Sequence, residues 1–198
     1  MRTMGLATIA GLLSAILVGL IVVFVVNRNP PSQLVVNTDA VKQFELINTE
    51  GETVTPTNYA GHWTLLFFGF TRCPDVCPTT LIDMGQTLEL LGPDAEKLQP
   101  VFISVDPEWD TRERMADYMK NFDPRIDGLT GSLDQVKNAA QNYSVFFRKV
   151  ALEDGGYTID HSAALYLLNP QGVYERPYSW QDGADVLAEK LRTAMDGA

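Results

Sequence analysis

Residues 63–78 read WTLLFFGFTRCPDVCP, and the reading of this stretch decides the fold. Trp63 to Phe70 is a nearly continuous apolar run, rich in aromatic side chains. Too short and too β-prone for a typical helix, it predicts a central strand covered on both faces. The strand runs directly into Thr71-Arg72-Cys73-Pro74-Asp75-Val76-Cys77-Pro78. Beyond that, Leu81, Met84, Leu88 and Leu91 recur at helical spacing, so Thr79 to Leu91 is predicted to be a helix. A buried strand, a loop carrying two cysteines and a helix form the first half of an α/β unit. Ligands of open α/β sheets collect beyond the carboxyl ends of the strands, which is where both cysteines fall.

The rest of the domain extends the pattern. Upstream, Phe44 to Ile47 and Val54 fit a hairpin turning at Asn48-Thr49-Glu50-Gly51. Downstream, Val101 to Val105 is a second buried strand, ended by Asp106-Pro107. Thr111 and Ser132 are candidate caps for helices reaching about Asn121 and Asn142. Val145 to Val150 and Ala163 to Leu168 read as strands. Asn169-Pro170-Gln171-Gly172 turns the chain into Val173-Tyr174-Glu175. A last amphipathic helix covers Gly183 to Met195. The order predicts an α/β domain with parallel and antiparallel parts of its sheet.

Composition narrows the function. The chain has 198 residues and a formal net charge of −10, which disfavours nucleic acid as a partner because phosphate binding needs a basic face. Met4 to Val26 holds no charged residue and is long enough to cross a hydrocarbon core of about 30 Å. The run exceeds an ordinary signal-peptide core and lacks a small-residue cleavage site, so an uncleaved single-pass anchor is expected. Pro30 and Pro31 then stiffen a linker. The expected organisation is an anchor over 1–27, a linker over 28–40 and a folded domain over 41–198. That domain is placed outside the cytoplasm, as in a protein of the bacterial inner membrane facing the periplasm.

There are only two cysteines, and they lie four positions apart. Such a count is not the framework of a disulfide-stapled secreted protein. At this spacing the two sulfurs can meet. A plain disulfide, a redox-active dithiol and a soft-metal site all remain open. Thiolates select Cu(I), Zn(II) or iron–sulfur iron. A closed zinc site or a cluster needs four ligands, more than two cysteines supply within one chain, whereas Cu(I) accepts two or three. Arg72 and the following helix N-terminus both favour the thiolate form. A third ligand would be a histidine, and the chain offers only His62 and His161. His62 reads as a surface residue in a turn. His161 precedes a buried strand, where a lone histidine is more often structural. Asp160 would either tune its basicity or cap the loop. Asp106 would either shape its turn or support the cysteine segment.

Three blocks, Gly69 to Pro78, Phe102 to Thr111 and Ile159 to Ala163, occur in the order and spacing of the Sco/SenC family, which the chain closely resembles from about Phe44 to Met195. The resemblance implies a thioredoxin-like domain on a membrane anchor, binding one copper, Cu(I) or Cu(II). It implies Cys73, Cys77 and His161 as metal ligands and Asp106 as a supporting residue. It also implies work in cytochrome c oxidase assembly. A copper donor would supply the metal, and oxidase subunit II or another copper-receiving protein would take it. The competing role is a thiol–disulfide oxidoreductase, with Cys73 and Cys77 as the redox-active pair that reduces the cysteines of an oxidase subunit. A peroxidase lacks a matching pattern, and a structural adaptor leaves the cysteine pair unexplained.

Overall fold

A computed structural model describes residues 43–153 and 155–197. The expected anchor, Met4 to Val26, and the linker lie outside the described residues. Among the described residues, no helix is long and apolar enough to cross a membrane.

The apolar run forms strand β3 (Trp63–Gly69), all seven residues of which are buried. It lies inside a seven-stranded sheet with β1 (Leu46–Asn48), β2 (Thr53–Val54), β4 (Leu98–Ser104), β5 (Asp127–Thr130), β8 (Ala164–Leu168) and β9 (Tyr174–Ser179). The order across the sheet is β2-β1-β5-β4-β3-β8-β9. β3 pairs in parallel with β4, and β4 with β5; β1 on β5, β8 on β3 and β9 on β8 are antiparallel. Parallel pairing needs a helical crossover, whereas antiparallel neighbours can be joined by short turns such as Asn169 to Gly172. The helices are α1 (Val76–Leu91), α2 (Arg112–Met119), α3 (Leu133–Asn142) and α4 (Gly183–Asp196). α1 packs against α4, and α2 against β5.

The predicted caps are in place. The Thr111 hydroxyl accepts from the Arg114 amide, and Ser132 forms a reciprocal capping box with Gln135. Three expectations change. Strand β5 is absent from the sequence reading because Asp127 and Gly128 are weak strand formers. Gly128 is there for packing: a Cβ on it would meet Met119 Cγ at 2.6 Å, so glycine lets α2 lie close on the sheet. Helix α1 begins at Val76 rather than Thr79. Pro78 does not delay it, since the first turn has no intrahelical partner for the amide hydrogen that proline lacks. Residues 157–161, read as the approach to a strand, are themselves strand β7 (Tyr157–His161), paired with β6 (Phe147–Ala151) in a separate two-stranded sheet.

The register of β3 on β4 sets Gly69 beside Ser104. The cysteine loop and the Asp106 loop therefore leave the sheet at the same edge, side by side.

Candidate metal centre

Cys73 lies in the loop after β3, and Cys77 lies in the first turn of α1. Both are free thiols; Cys77 is fully buried and Cys73 partly exposed. The Cys77 amide, left without a helical acceptor by its position, donates to Cys73 Sγ at 3.4 Å. The sulfur of one cysteine thus accepts at the start of the helix that carries the other. Cys77 is seated by close approach to the sheet. A Cβ on Gly69 would lie 2.7 Å from Cys77 Sγ and 2.8 Å from the Phe102 ring, so only glycine leaves room for the sulfur.

His161 comes from the far end of the chain, 84 positions after Cys77, yet its Nε2 lies 3.8 Å from Cys77 Sγ. Its side chain also helps to hold the Cys73 thiol below its ordinary range. Its Nδ1 is 3.0 Å from the carbonyl oxygen of Ser162. A carbonyl only accepts, so Nδ1 carries a hydrogen, and the bond to Ser162 leaves Nε2 as the ring nitrogen that faces Cys77. The rings of Phe67 and Phe70 meet the imidazole edge-on, at 6.4 and 5.8 Å between centroids. These contacts fix its plane.

The spacing suits an ion between sulfur and nitrogen. Bonds of about 2.3 Å to a thiolate and about 2.0 Å to an imidazole, opened to a trigonal angle, separate the two donor atoms by about 3.7 Å. The donor set is soft, and too small to close a tetrahedral site by itself.

The two sulfurs are electrostatically unequal. A hydrogen bond from Cys77 holds the Cys73 thiol well below its ordinary range, against the opposing effect of burial, and backbone amides add to the depression. Accordingly Cys77, which donates that bond and is buried, is pushed up. The apo pair is then a Cys73 thiolate beside a Cys77 thiol. Cys73 should react with iodoacetamide at a rate that holds below pH 7 and falls only in the acid range, while Cys77 stays unlabelled until the protein unfolds. Mass mapping of the labelled residue against pH checks this; equal labelling of both, rising only above pH 8, would contradict it.

Asp106 is fully buried and reaches the cysteine loop through Arg72, whose Nη2 donates to Oδ2 at 2.9 Å. Its carboxylate also accepts from the Tyr157 hydroxyl, 3.0 Å from both oxygens. Asp160 points the other way. It is exposed and pairs with Arg148 at 2.9 Å, while the ring hydrogen of His161 goes to Ser162. Strand alternation accounts for this: Tyr157, Ile159 and His161 share one face, and Asp160 lies on the opposite one. His62 is exposed at the other end of β3.

Sequence reasoning missed Asp110. It is fully buried, and its carboxylate accepts from the Thr71 amide at 3.0 Å, the Thr71 hydroxyl at 2.5 Å and the Ser104 hydroxyl at 2.6 Å. Burial raises its pKa, and the hydrogen bonds from Ser104 and Thr71 oppose that rise. Asp110 therefore ties the root of the cysteine loop to the end of β4. No sequence signal marks it beyond its place in the same loop as Asp106. Tyr157 had a signal, the alternation of Tyr157, Ile159 and His161.

Fold and site together define a thioredoxin-like α/β protein with a paired-thiol and imidazole centre at the carboxyl edge of its central strands. The SCO1/SenC family model matches residues 33–196, and the chain belongs to that family. Among its relatives is the mitochondrial protein SCO1 homolog 1 of Arabidopsis thaliana, 40% identical over 147 residues, covering 74% of this chain and 44% of that one. The chain spans about half the length of the curated relatives it matches. Among solved structures, Bradyrhizobium japonicum ScoI with copper bound is 39% identical with a TM-score of 0.71, over 76% of this chain and 96% of that one. Arabidopsis thaliana ScoI with copper bound is 38% identical with a TM-score of 0.75, over 79% and 98%.

Proposed function

We propose that this chain is a copper-binding metallochaperone that helps assemble the copper A centre of cytochrome c oxidase. Cys73, Cys77 and His161 hold one copper per domain. Copper is the cargo, received from a donor protein and passed to oxidase subunit II or another copper-receiving protein. The observation that carries this reading is the aim of His161: its Nδ1 is engaged by Ser162, and its Nε2 lies 3.8 Å from Cys77 Sγ. Two thiolates satisfy Cu(I), and the added imidazole suits Cu(II). The copper-bound relatives support the same cargo. Residues 1–27 tether the domain to the bacterial inner membrane, with the folded part in the periplasm.

The test is metal titration of the reduced full-length chain in detergent. The expected result is one copper per chain, with thiolate-to-Cu(II) charge-transfer absorption that disappears in acid as the thiols protonate. Saturation without that absorption would overturn the ligand set.

A second reading uses the same sulfurs. The Cys73 thiolate, the more exposed of the two, is suited to attack a client disulfide and form a mixed disulfide. Cys77 then loses its proton and displaces the client as a dithiol, leaving the Cys73–Cys77 disulfide. His161 is dispensable for that chemistry, which separates the two roles.

A further inference from the structure

Arg72 stands next to Cys73, and its guanidinium makes three contacts at once. It packs against the rings of Trp109, at 4.2 Å, and Tyr157, at 4.3 Å. In its own plane it donates to the buried carboxylate of Asp106 at 2.9 Å. Around this centre the contacts continue. The Tyr157 hydroxyl binds Asp106, the ammonium of Lys149 lies 3.7 Å from Asp106 and 4.4 Å from the Tyr157 ring, and Lys149 also pairs with Glu108. Arg114 packs on Trp109 at 4.0 Å.

These residues come from three separate segments. Arg72 is on the cysteine loop, and Asp106 and Trp109 follow β4. Tyr157 and Lys149 are on the β6–β7 hairpin, which shares no ladder with the seven-stranded sheet. His161 is carried by that hairpin, on the same face of β7 as Tyr157, with buried Ile159 between them. The strand is therefore held against the body at Tyr157, about 13 Å along from the imidazole.

We propose that Arg72 is a positioning residue for His161. With Asp106 and Tyr157 it latches the histidine hairpin to the cysteine loop and decides whether the centre presents three ligands or two. The inference rests on the reading of Cys73, Cys77 and His161 as copper ligands. Its consequence is selective. Cu(II) depends on the imidazole and is held well only with the latch closed, whereas two thiolates hold Cu(I) in either state. Only a planar guanidinium stacks on aromatic rings while donating in its plane to a carboxylate, so lysine cannot replace it.

The test compares Arg72→Met, Tyr157→Phe, His161→Ala and the double variant Arg72→Met/His161→Ala in the reduced full-length chain. Cu(I) affinity is read by competition with a chromophoric chelator. Cu(II) affinity is read by titration, and nitrogen coordination by the hyperfine splitting in electron paramagnetic resonance. Arg72→Met should weaken Cu(II) by about 10- to 100-fold and diminish the nitrogen splitting. Cu(I) should change by less than about 2-fold, and so should Cu(II) when Arg72→Met is added to His161→Ala, because the two act through one ligand. In the copper-free protein, amide exchange along β7 should quicken.

An Arg72→Met effect that falls equally on both oxidation states, or persists without His161, would show that Arg72 acts on the Cys73 charge and would overturn the latch. If Arg72→Met does not fold, Tyr157→Phe decides: about 10-fold weaker Cu(II) binding is expected, and unchanged binding overturns the proposal. Unchanged Cu(II) affinity in His161→Ala overturns the ligand set, and the latch with it. Loss in His161→Ala with none in Arg72→Met or Tyr157→Phe overturns the latch alone.

Discussion

Replacing His161 with Ala should lower Cu(II) affinity by more than about 100-fold, beyond the range typical of changes to residues that merely support a ligand. The imidazole is the harder donor of the three, and without it two sulfurs face an ion that prefers nitrogen in its coordination shell. The thiolate-to-Cu(II) absorption should weaken and shift. On exposure to oxidant the Cys73–Cys77 disulfide should still form, because His161 bonds to neither backbone and sits at the edge of the pair. His161 is only partly buried, on a hairpin outside the main sheet, so the fold should survive the change. Circular dichroism and a thermal scan of the copper-free variant check that. Cu(II) binding as tight as in the unaltered chain, with the same charge-transfer band, would remove His161 from the site. A chain that keeps full reactivity toward a client disulfide after His161→Ala, while losing Cu(II), would be performing the oxidoreductase chemistry independently of the metal.

Phe67→Ala should be the most damaging change to the fold near the centre, costing about 3–5 kcal/mol. The ring is fully buried in the middle of β3, stacked on Phe102 at 6.0 Å between centroids. Its removal leaves a cavity on the face of two central strands that are paired along their whole length, with little freedom to close over it. Against a typical total of about 5–15 kcal/mol the loss is a large share. In urea the midpoint should fall with the slope unchanged, which separates lost stability from a change in the denatured state. A shift worth less than about 1 kcal/mol would mean that the strands collapse onto the space. The same ring meets His161 edge-on, so the variant should also loosen the imidazole.

The two outcomes divide the protein into a rigid part and a docked part. Cys73 and Cys77 are placed by β3, α1 and the parallel pairing to β4. His161 is placed by a hairpin docked through buried Ile159, the rings of Phe67 and Phe70, and the polar and cation–π contacts of Tyr157. If the proposed ligand set holds, a metal that needs all three donors would read the state of that docking.

Much of this organisation was legible in the chain. The buried strand, the cysteine pair after it and the caps at Thr111 and Ser132 depend on neighbours in sequence, and local periodicity reports them. The resemblance to the Sco/SenC family added His161 to the two cysteines. Strand β5 was not legible, because Asp127 and Gly128 are chosen for a hydrogen bond to Tyr59 and for the approach of α2, not for strand propensity. Strand β7 was readable in principle from the alternation of Tyr157, Ile159 and His161, but its pairing with β6 was not.

By itself, the sequence determined that two thiols stand beyond a fully buried strand at the mouth of a helix, since spacing and hydrophobic pattern are local properties. Only the tertiary structure decided that the imidazole of His161 turns its free nitrogen toward Cys77, that Asp160 faces away, and that Arg72 joins the loop of one to the hairpin of the other. Those relations rest on strand register and on contacts between segments tens of residues apart. A shift of one residue in β7 would put Asp160 where His161 now stands.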